Sequence, residues 1–450
     1  MTTRYTSLLG LGFGDCGKGL FTDYVCRAQR GHTVVRFNGG AQAGHNVVLP
    51  DGRHHTFSQF GAGSFMDGVA TVLSAPFIIH PHALLFEAEA LAAKGVPDIL
   101  DRLLIDGRCR VTTPLHQAAG RLREWARASG ASGPHGSCGV GVGETVLQEL
   151  SDPQTAIRYA DLTQRKRTLD KLAMLRERLR ADAGLQWPGM ASNAAAQTEW
   201  KVLNDESIGS RWLDAIQPCL RAAPSASPEL LAQRLTMPGA VVFEGAQGVL
   251  LDERHGFHPH TTWSSISTDA VESVLLDLGL HAEVTHLGVM RSYLTRHGAG
   301  PLPTQDAALD VLAEPHNSNE GWQGAFRRGH PDSVLLEYAV SAVGRLDGIV
   351  ATHLDVFDRF GPLQWCIGYG HEPGGLTDHL PLGTPGDVAH AERIMELLDM
   401  ARPVYAATPL RNASSWCAAV EAVAGVPVTH TASGPLHVNV DVRRPFAKLE

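Results

Sequence analysis

A glycine-rich segment near the amino terminus contains a lysine and an aspartate in a pattern that suits phosphate chemistry. Residues 12–19 read Gly-Phe-Gly-Asp-Cys-Gly-Lys-Gly, follow an apolar run and open a helical pattern. Backbone N–H groups and the amino end of a helix can bind phosphate there, while Lys18 neutralises charge. Gly19 stands where a magnesium-binding hydroxyl is usual, so Asp15 becomes the natural metal or proton partner. The alternative is a tight structural turn in which Lys18 and Asp15 are incidental.

A second glycine-rich turn carries an amide and an imidazole. It reads Phe37-Asn-Gly-Gly-Ala-Gln42-Ala-Gly44-His45 and follows an apolar run at residues 33–37. This position places Gln42 and His45 at the carboxyl end of a predicted strand, where α/β proteins present functional groups. Taken alone, the segment is equally compatible with a structural histidine.

The elements that must position these groups are predicted from short apolar runs bounded by glycine or polar residues. The predicted strands are residues 6–12, 33–37, 240–245, 284–290 and 348–356. Helical patterns alternate with them at residues 18–29, 82–95, 115–129 and 335–346. This alternation predicts an α/β fold with a large, mainly parallel central sheet. The proline- and small-residue-rich stretches 184–197 and 221–229 are predicted to be surface connections that flank an inserted helical segment.

Composition excludes several classes of function. The chain has 450 residues, of which 44% are hydrophobic, and this is enough for a large core. A formal charge of −9 without a basic run argues against nucleic-acid partners, so a bound nucleotide is expected to be small. The absence of a long apolar window and of a signal peptide predicts a cytoplasmic protein without a membrane partner. Seven scattered cysteines without a CxxC pair are expected to be free thiols.

Together with three further segments, these turns resemble the adenylosuccinate synthetase family in order and spacing over roughly residues 5 to 440. The further segments are Phe243-Glu-Gly-Ala-Gln247-Gly-Val-Leu-Leu-Asp252, Thr295-Arg296-His-Gly-Ala-Gly-Pro-Leu-Pro-Thr304 and Thr352-His-Leu-Asp355-Val-Phe-Asp358. In the family, tryptophan and glutamate usually stand at the positions of Phe13 and Cys16, and asparagine stands at that of Gln42.

The resemblance implies the family's fold, with a P-loop-like phosphate loop, a homodimer, and a mainly helical subdomain inserted over roughly residues 100–235. It also implies a GTP-dependent ligase acting on small molecules. Asp15 matches the base that removes a ring N–H proton, and His45 matches the acid that helps the γ-phosphate of GTP reach a 6-oxygen. Mg²⁺ would be held by Asp15 and the Gly44 carbonyl. An amine then displaces the phosphate, which is a far better leaving group than an amide-like oxygen.

The matched motifs imply two sets of binding residues. The segment 352–355 resembles the T-K-x-D element with which the family reads guanine, and residues 432–435 resemble its S-T-G-P turn. By itself the second segment would be an ordinary surface turn. The nucleotide-binding residues implied are Gly14, Gly17, Lys18, Gly19, Gly44, His45, His353, Asp355, Ser433 and Gly434. The substrate-binding residues implied are Gln42, Ser137, Gln247, Thr262 and Arg327.

Two loops depart from the family pattern. His135-Gly-Ser-Cys-Gly139-Val-Gly-Val-Gly143-Glu144 stands where the family has T-T-G-R-G-I-G-P. No lysine or arginine lies between Gly141 and Ile157, where the family places an arginine that reaches the partner's substrate phosphate. Trp322-Gln323-Gly324-Ala325-Phe326-Arg327-Arg328-Gly329 stands where T-T-G-R-x-R-R grips aspartate. These two loops, residues 135–144 and 322–329, are called the acceptor side below. The triphosphate side, residues 12–19, 44–45 and 352–355, is spared.

Three functional hypotheses follow. The first is a GTP-dependent C–N ligase with an altered acceptor and amine, because Asp15, Lys18, His45, Gln247 and Asp355 are all present. The second is an ordinary adenylosuccinate synthetase, acting on IMP, L-aspartate and GTP with divergent loops. The third is a nucleotide-binding regulatory protein that keeps the fold without turnover. Phosphate release with candidate substrates separates the third from the others.

Overall fold

The computed structural model describes residues 2–130, 135–314, 322, 324–371 and 375–444. The strands of this part are β1 (Thr3–Gly10), β2 (Gly31–Arg36), β3 (His45–Val48), β4 (His54–Phe57), β5 (Ala70–Leu73), β6 (Ile78–Ile79), β7 (Leu103–Asp106), β8 (Arg110–Val111), β9 (Ser225–Ala226), β10 (Gly239–Glu244), β11 (Val284–Arg291), β12 (Leu294–His297), β13 (Phe326–Gly329), β14 (Gly348–Thr352), β15 (Cys366–His371), β16 (Gly375–Thr377), β17 (Arg402–Tyr405), β18 (Val428–Ala432) and β19 (Val440–Val442). The α-helices are α1 (Lys18–Ala28), α2 (Pro81–Ala92), α3 (Pro114–Ala128), α4 (Val142–Ser151), α5 (Arg165–Ala181), α6 (Ala194–Asn204), α7 (Ile208–Ala215), α8 (Gln217–Ala222), α9 (Pro228–Leu235), α10 (Thr268–Asp277), α11 (Ser333–Val343), α12 (Val356–Arg359), α13 (Val388–Asp399) and α14 (Ala413–Ala424).

A ten-stranded sheet forms the centre of the molecule, in the order β19-β18-β14-β11-β1-β10-β2-β5-β7-β9. Its neighbouring strands run parallel except for β18 and β19, which are antiparallel. The predicted mainly parallel α/β sheet is therefore confirmed. Because β1 lies between β10 and β11, the loops that follow these three strands meet at one edge of the sheet.

The predicted elements that frame the phosphate loop are present, with ends that differ by a few residues. β1 runs from Thr3 to Gly10, and α1 begins at Lys18. The predicted strand 348–356 ends at Thr352, because His353 adopts a left-handed backbone with φ of 59° and α12 starts at Val356. The chain thus turns sharply where the guanine-reading element was predicted.

Both predicted surface connections are partly wrong. Residues 194–197 open helix α6, because alanines favour a helix and the Asn193 side chain accepts a hydrogen bond from the Ala196 N–H at 3.0 Å. Within 221–229, residues Ser225–Ala226 form β9, which extends the central sheet through its pairing with β7. Small residues suit an edge strand as well as a loop, and composition did not separate the two.

Two hydrophobic clusters support this architecture. One surrounds the central strands and includes Phe37, Phe243 and Trp416, each at most 1% exposed. The other lies among α2 to α8 and packs much of residues 100–235 together. That the latter region is a separate subdomain stays a prediction. All seven cysteines are free thiols, as expected. In the described residues, helices long and apolar enough for a membrane span are absent.

Candidate active site

The phosphate loop joins β1 to α1 in the predicted strand–loop–helix arrangement. Gly14 and Gly17 adopt φ values of 103° and 86°, which side-chain-bearing residues rarely adopt. A Cβ atom at Gly17 would also lie 2.9 Å from the Thr352 side chain. The Thr352 hydroxyl donates to the Cys16 carbonyl oxygen at 2.8 Å. Close approach between this loop and the end of β14 thus requires glycine at position 17.

Lys18 crosses from the start of α1 to the loop that follows β10. Its Nζ donates to the Gln247 carbonyl oxygen at 2.5 Å, and the residue is only 3% exposed. No ion pair joins Lys18 to a carboxylate within the described ranges. A buried ammonium group without a carboxylate partner is suited to bind a phosphate.

Asp15 is held in a strained backbone conformation, with φ of 46°. Its Oδ2 lies 3.3 Å from Nε2 of His297, a residue that the sequence analysis quoted but did not single out. Burial opposes ionisation of the carboxyl group. Even so, the contact with His297 and the charges of Arg291 and Lys18 bring the pKa of Asp15 below its usual value. Asp15 is therefore a carboxylate at neutral pH and can accept a proton or bind a cation.

His45 is positioned by a buried carboxylate that the sequence analysis missed. Its Nδ1 lies 2.7 Å from Oε1 of Glu244, which is fully buried at the end of β10. The other oxygen of Glu244 accepts from the Ala62 N–H at 3.0 Å. Burial lowers the pKa of His45 to about 4, although Glu244 acts in the opposite direction. The signal was available, because Glu244 lies within the segment 243–252 quoted above.

In this arrangement His45 is a neutral imidazole whose Nδ1–H donates to Glu244. Its Nε2 is then left to contact a substrate group. A triphosphate bound beside it would favour the protonated ring, because negative charge stabilises an imidazolium ion. His45 can therefore take up a proton when a phosphate arrives, as an acid near a transferred phosphate requires.

The second glycine-rich turn packs against the loop after β10 and brings two glutamines together. Asn38 donates to the Ser265 carbonyl oxygen at 2.8 Å and accepts from the Ala246 N–H at 2.8 Å. A Cβ at Gly39 would lie 3.3 Å from Oε1 of Gln247, and one at Gly40 would lie 2.9 Å from Oε1 of Gln42. Both glutamine oxygens are buried without a hydrogen-bond partner among the described residues. Buried polar atoms are normally paired, so these two fit a substrate-binding role.

The predicted guanine-reading residues are adjacent in space. The Leu354 N–H donates to the Ala432 carbonyl oxygen at 3.1 Å, which places His353 and Asp355 beside the turn of Ser433 and Gly434. Asp355 is about one-quarter exposed, and Oδ2 pairs with Arg359 at 3.1 Å. Burial is the main cause that holds the pKa of His353 well below its usual value, and the charges of Arg291 and Arg359 act in the same direction. A neutral ring and a carboxylate thus flank the same turn.

Polar groups on the acceptor side are engaged within the protein instead. Oε1 of buried Glu124 accepts from the Gly136 and Ser137 N–H groups at 2.7 and 3.1 Å. The Ser137 hydroxyl in turn accepts from the Gly139 N–H at 3.1 Å. Outside these two loops, the predicted substrate-binding residue Thr262 donates its hydroxyl to the Leu251 carbonyl oxygen at 3.2 Å. The N–H groups of Gly136, Ser137 and Gly139 and the Thr262 hydroxyl therefore already have acceptors, whereas these contacts do not use the hydroxyl proton of Ser137.

The arginines of this region are engaged through their terminal nitrogens, while Nε of Arg327 and Nε of Arg328 are buried without a hydrogen-bond partner among the described residues. Arg327 donates to the Gly300 carbonyl oxygen at 2.7 Å and to the Gln305 side chain at 3.1 Å. Arg328 pairs with Asp310 at 3.1 Å, and Arg158 pairs with Glu149. The Trp322 ring packs against Gly139, where a Cβ would lie 2.9 Å away, and Gln323 lies outside the described residues. The substrate-binding set is therefore split, since Gln42 and Gln247 converge while Ser137, Thr262 and Arg327 bond elsewhere.

The donors near the phosphate loop fit Mg²⁺ better than a soft metal. Within the described residues, no group of three or more His, Cys, Asp or Glu side chains is arranged to hold a metal ion. An ionised Asp15 and a backbone carbonyl such as that of Gly44 are hard oxygen ligands. Mg²⁺ commonly binds through one or two carboxylates together with substrate phosphates.

Comparison with known proteins identifies the family. The adenylosuccinate synthetase family model matches residues 7–440. The adenylosuccinate synthetase of Thioalkalivibrio sulfidiphilus is 30% identical over 455 residues, covering 98% of this chain and 99% of that protein. The enzyme of Alkalilimnicola ehrlichii is 31% identical over 452 residues, covering 95% of each.

Two solved structures share the fold. Fully ligated adenylosuccinate synthetase from Plasmodium falciparum matches with a TM-score of 0.77 and 22% identity, covering 98% of this chain and 100% of that one. Succinoaminodeoxyadenylate synthetase of cyanophage S-2L, bound to dGMP and to dATP as energy donor, matches with a TM-score of 0.57 and 17% identity, covering 100% and 98%. The family match over residues 7–440 and the full-length relatives lead to one conclusion: this chain belongs to the adenylosuccinate synthetase family of GTP-dependent ligases.

Proposed function

We propose that this protein phosphorylates a carbonyl oxygen of a 6-oxo-purine-like acceptor with GTP and then lets an amine displace the phosphate. We further propose that the acceptor and the amine differ from IMP and L-aspartate. The observation that carries the proposal is the contrast between the two sides of the site. Asp15, Lys18 and His45 converge with groups available to a ligand, whereas the N–H donors of the acceptor-side segment 135–144 are bonded within the protein.

In the first step Asp15 accepts the ring N–H proton of the acceptor, and the electron pair moves onto the carbonyl oxygen. That oxygen forms a bond to the γ-phosphorus while the bond to the bridging oxygen breaks, and GDP leaves. Lys18 neutralises charge on the transferred group, and His45 contacts it through Nε2 with Glu244 fixing the ring. In the second step the amine nitrogen attacks the ring carbon, inorganic phosphate leaves, and the proton of the amine passes to phosphate or solvent.

The GTP side follows from the same geometry. Asp15 and the Gly44 carbonyl would hold Mg²⁺, which supplies charge neutralisation of the phosphates. The phosphate loop, with Gly14, Gly17 and Gly19, gives the backbone access that a triphosphate needs. Asp355 would accept hydrogen bonds from the N1–H and exocyclic amine of guanine, with His353, Ser433 and Gly434 beside the base.

The altered acceptor is supported by the state of the acceptor side. Glu124 places a carboxylate on the Gly136 and Ser137 N–H groups, and a second anion on the same donors would be repelled. Both terminal nitrogens of Arg327 are bonded to Gly300 and Gln305. A 5′-phosphate and a dicarboxylate amine would both have to break these contacts before they could bind.

Phosphate release with GTP, Mg²⁺ and a panel of acceptors and amines tests the proposal. The panel should include inosine, IMP and dGMP as acceptors, and L-aspartate and monocarboxylate amino acids as amines. We expect kcat/KM for IMP with L-aspartate to be well below ~10⁴ M⁻¹s⁻¹, and another pair to exceed it. A value at or above ~10⁴ M⁻¹s⁻¹ for IMP and L-aspartate would establish an ordinary adenylosuccinate synthetase. Nucleotide binding without turnover of any pair would establish the regulatory alternative.

We also propose that the protein is a homodimer in the cytoplasm. Helix α4 exposes two leucines, Leu147 at 37% and Leu150 at 63%, on a surface that could be buried between subunits. Light scattering of the purified protein should give about twice the mass of one chain, and a monomer at micromolar concentration would contradict the proposal.

A further inference from the structure

The hairpin of β12 and β13 connects the acceptor side to the phosphate loop. The Arg296 guanidinium lies 4.3 Å from the centroid of the Phe13 ring, within the phosphate loop. The next residue, His297, places Nε2 3.3 Å from Oδ2 of Asp15. Across the hairpin, His297 pairs with Phe326, and their rings are 4.8 Å apart. His297 therefore contacts Asp15, the proposed general base. It also lies on the hairpin that includes part of the acceptor-side segment 322–329.

The two ring nitrogens of His297 have different surroundings. An ionised carboxylate can only accept hydrogen bonds, so the nitrogen beside Asp15 is the one that carries a proton. In the tautomer with its proton on Nε2, Nδ1 carries a lone pair. Nδ1 is buried and has no hydrogen-bond partner among the described residues, although the whole side chain is one-fifth exposed. A buried acceptor beside a reacting carboxylate fits a donor group that a substrate brings.

We propose that His297 is a positioning and specificity residue. Its Nε2–H holds one oxygen of Asp15, so that the other oxygen faces the acceptor's ring N–H. Its Nδ1 accepts a hydrogen bond from a neighbouring N–H or O–H of the acceptor, either a 2-amino group on the base or a 2′-hydroxyl on the sugar. The proposal rests on the proposed function for the identity of the acceptor class.

The physical reason for such a residue is geometric. Asp15 follows a glycine in the phosphate loop and adopts a left-handed backbone, so its carboxylate depends on contacts from outside the loop. Catalytic groups act efficiently only when neighbouring contacts fix their rotamers within a fraction of an ångström. Because the same ring would touch the acceptor, binding of the acceptor and placement of the base would be linked.

Two substitutions separate the two nitrogens. His297→Val removes both, whereas His297→Gln can place its amide N–H at the position of Nε2, with its amide oxygen away from the position of Nδ1. We expect His297→Val to lower kcat about tenfold or more and His297→Gln to restore most of that loss. In an Asp15→Asn background, His297→Val should lower kcat no further. Equal kcat losses in the two variants, or an undiminished effect in that background, would overturn the positioning role.

Equilibrium binding tests the specificity role without requiring turnover. Calorimetry should compare inosine, 2′-deoxyinosine and guanosine, and their 5′-monophosphates, on the wild type and His297→Gln in the presence of a non-hydrolysable GTP analogue. We expect an affinity loss of about tenfold only for probes that carry the recognised donor. If the affinity loss requires the 2-amino group, His297 contacts the purine base of the acceptor. If the loss requires the 2′-hydroxyl, His297 contacts the sugar.

Equal losses for all probes, no loss, or no binding of any probe to the wild type would overturn the specificity role. A failure of the proposed function would instead appear as binding without phosphate release. His281→Gln is a matched control, because His281 is exposed at the amino end of β11, at the opposite edge of the sheet. All variants should keep the thermal transition of the wild type to within a few degrees.

Discussion

The triphosphate side and the acceptor side differ in how their polar groups are used. On the triphosphate side, Lys18 is buried and has no carboxylate partner in the part of the chain that the structure describes, and His45 uses only Nδ1 for its contact with Glu244. On the acceptor side, the N–H groups of Gly136 and Ser137 already donate to Glu124, and the terminal nitrogens of Arg327 donate to Gly300 and Gln305. The first region presents unused hydrogen-bonding capacity, whereas the second has consumed much of its own.

This contrast bears on which ligand each side can bind. A ligand that meets an unpaired buried group removes a penalty, whereas a ligand that meets a satisfied group must first break a bond. The family's phosphate-transfer chemistry is therefore expected to survive here, while the family's acceptor and amine are not.

Loss of the proton-transfer groups should give the largest effect. We expect Asp15→Asn and His45→Ala each to lower kcat for phosphate release by roughly two orders of magnitude or more, because each removes a proposed general acid or base. Circular dichroism should show an unchanged fold. Asp67→Asn, at an exposed position before β5, is the control and should keep wild-type turnover. Near-normal turnover in either active-site variant would show that its assigned role is wrong.

The second-largest effect should be the loss of selectivity for GTP over ATP when Asp355 is replaced. Asp355→Ala should lower kcat/KM for GTP by about 10- to 100-fold and leave the low value for ATP nearly unchanged, because only guanine offers two donors to the carboxylate. The exposed Asp358 of the same helix α12 supplies the control Asp358→Ala. If wild-type protein used GTP and ATP equally, Asp355 would not be the guanine-reading residue.

A neutral residue at position 124 should increase the affinity of the acceptor side for a phosphate-bearing ligand. Glu124→Gln can still accept hydrogen bonds from Gly136 and Ser137, yet it removes the negative charge that opposes a phosphate. We expect calorimetry to show IMP gaining severalfold in affinity relative to inosine, because one charge that repels the phosphate is removed. The exposed helix residue Glu89, changed to Gln, is the control. An unchanged ratio of the two affinities would mean that Glu124 does not exclude phosphate.

The smallest expected effect is a change in the free energy of unfolding with pH. Burial lowers the pKa values of His45, His80, His116 and His430 to about 4, so the unfolded chain binds more protons than the native protein between pH 6.5 and 4. Stability from these groups is present above pH 6.5 and is lost as pH falls through 4. Burial raises the pKa of Asp332 to about 6, which acts in the opposite sense.

Urea unfolding at pH 7, 6 and 5 should therefore show a falling free energy of unfolding. The His45→Ala variant should show a shallower fall than the wild type, because it lacks one of the four groups. A free energy of unfolding that is flat or rises on acidification over this range would contradict the assignment of neutral buried histidines.

Local patterns determined much of the framework. The alternation of apolar runs and helical patterns predicted the parallel sheet, because strands buried on both faces must be continuously apolar and their crossovers need helices. Glycine at positions 14 and 17 indicated the phosphate loop, because only backbone without side chains makes that approach. The stretches 184–197 and 221–229 were misjudged in part, because alanine and serine fit a helix start and an edge strand as readily as a loop.

The partners of the reacting groups were decided by the tertiary structure alone. Glu244 lies 199 residues from His45, and His297 lies 282 residues from Asp15, so neither contact has a local signature. Likewise the sequence showed which charges the acceptor side lacks, but not that Glu124 occupies the N–H groups of its loop. Residue types and spacing therefore determined which chemistry is present, since backbone conformation and burial depend on neighbours along the chain. The packing of distant strands determined how the side chains are oriented, because a hydrogen bond of about 3 Å depends on the position of every element between its two ends.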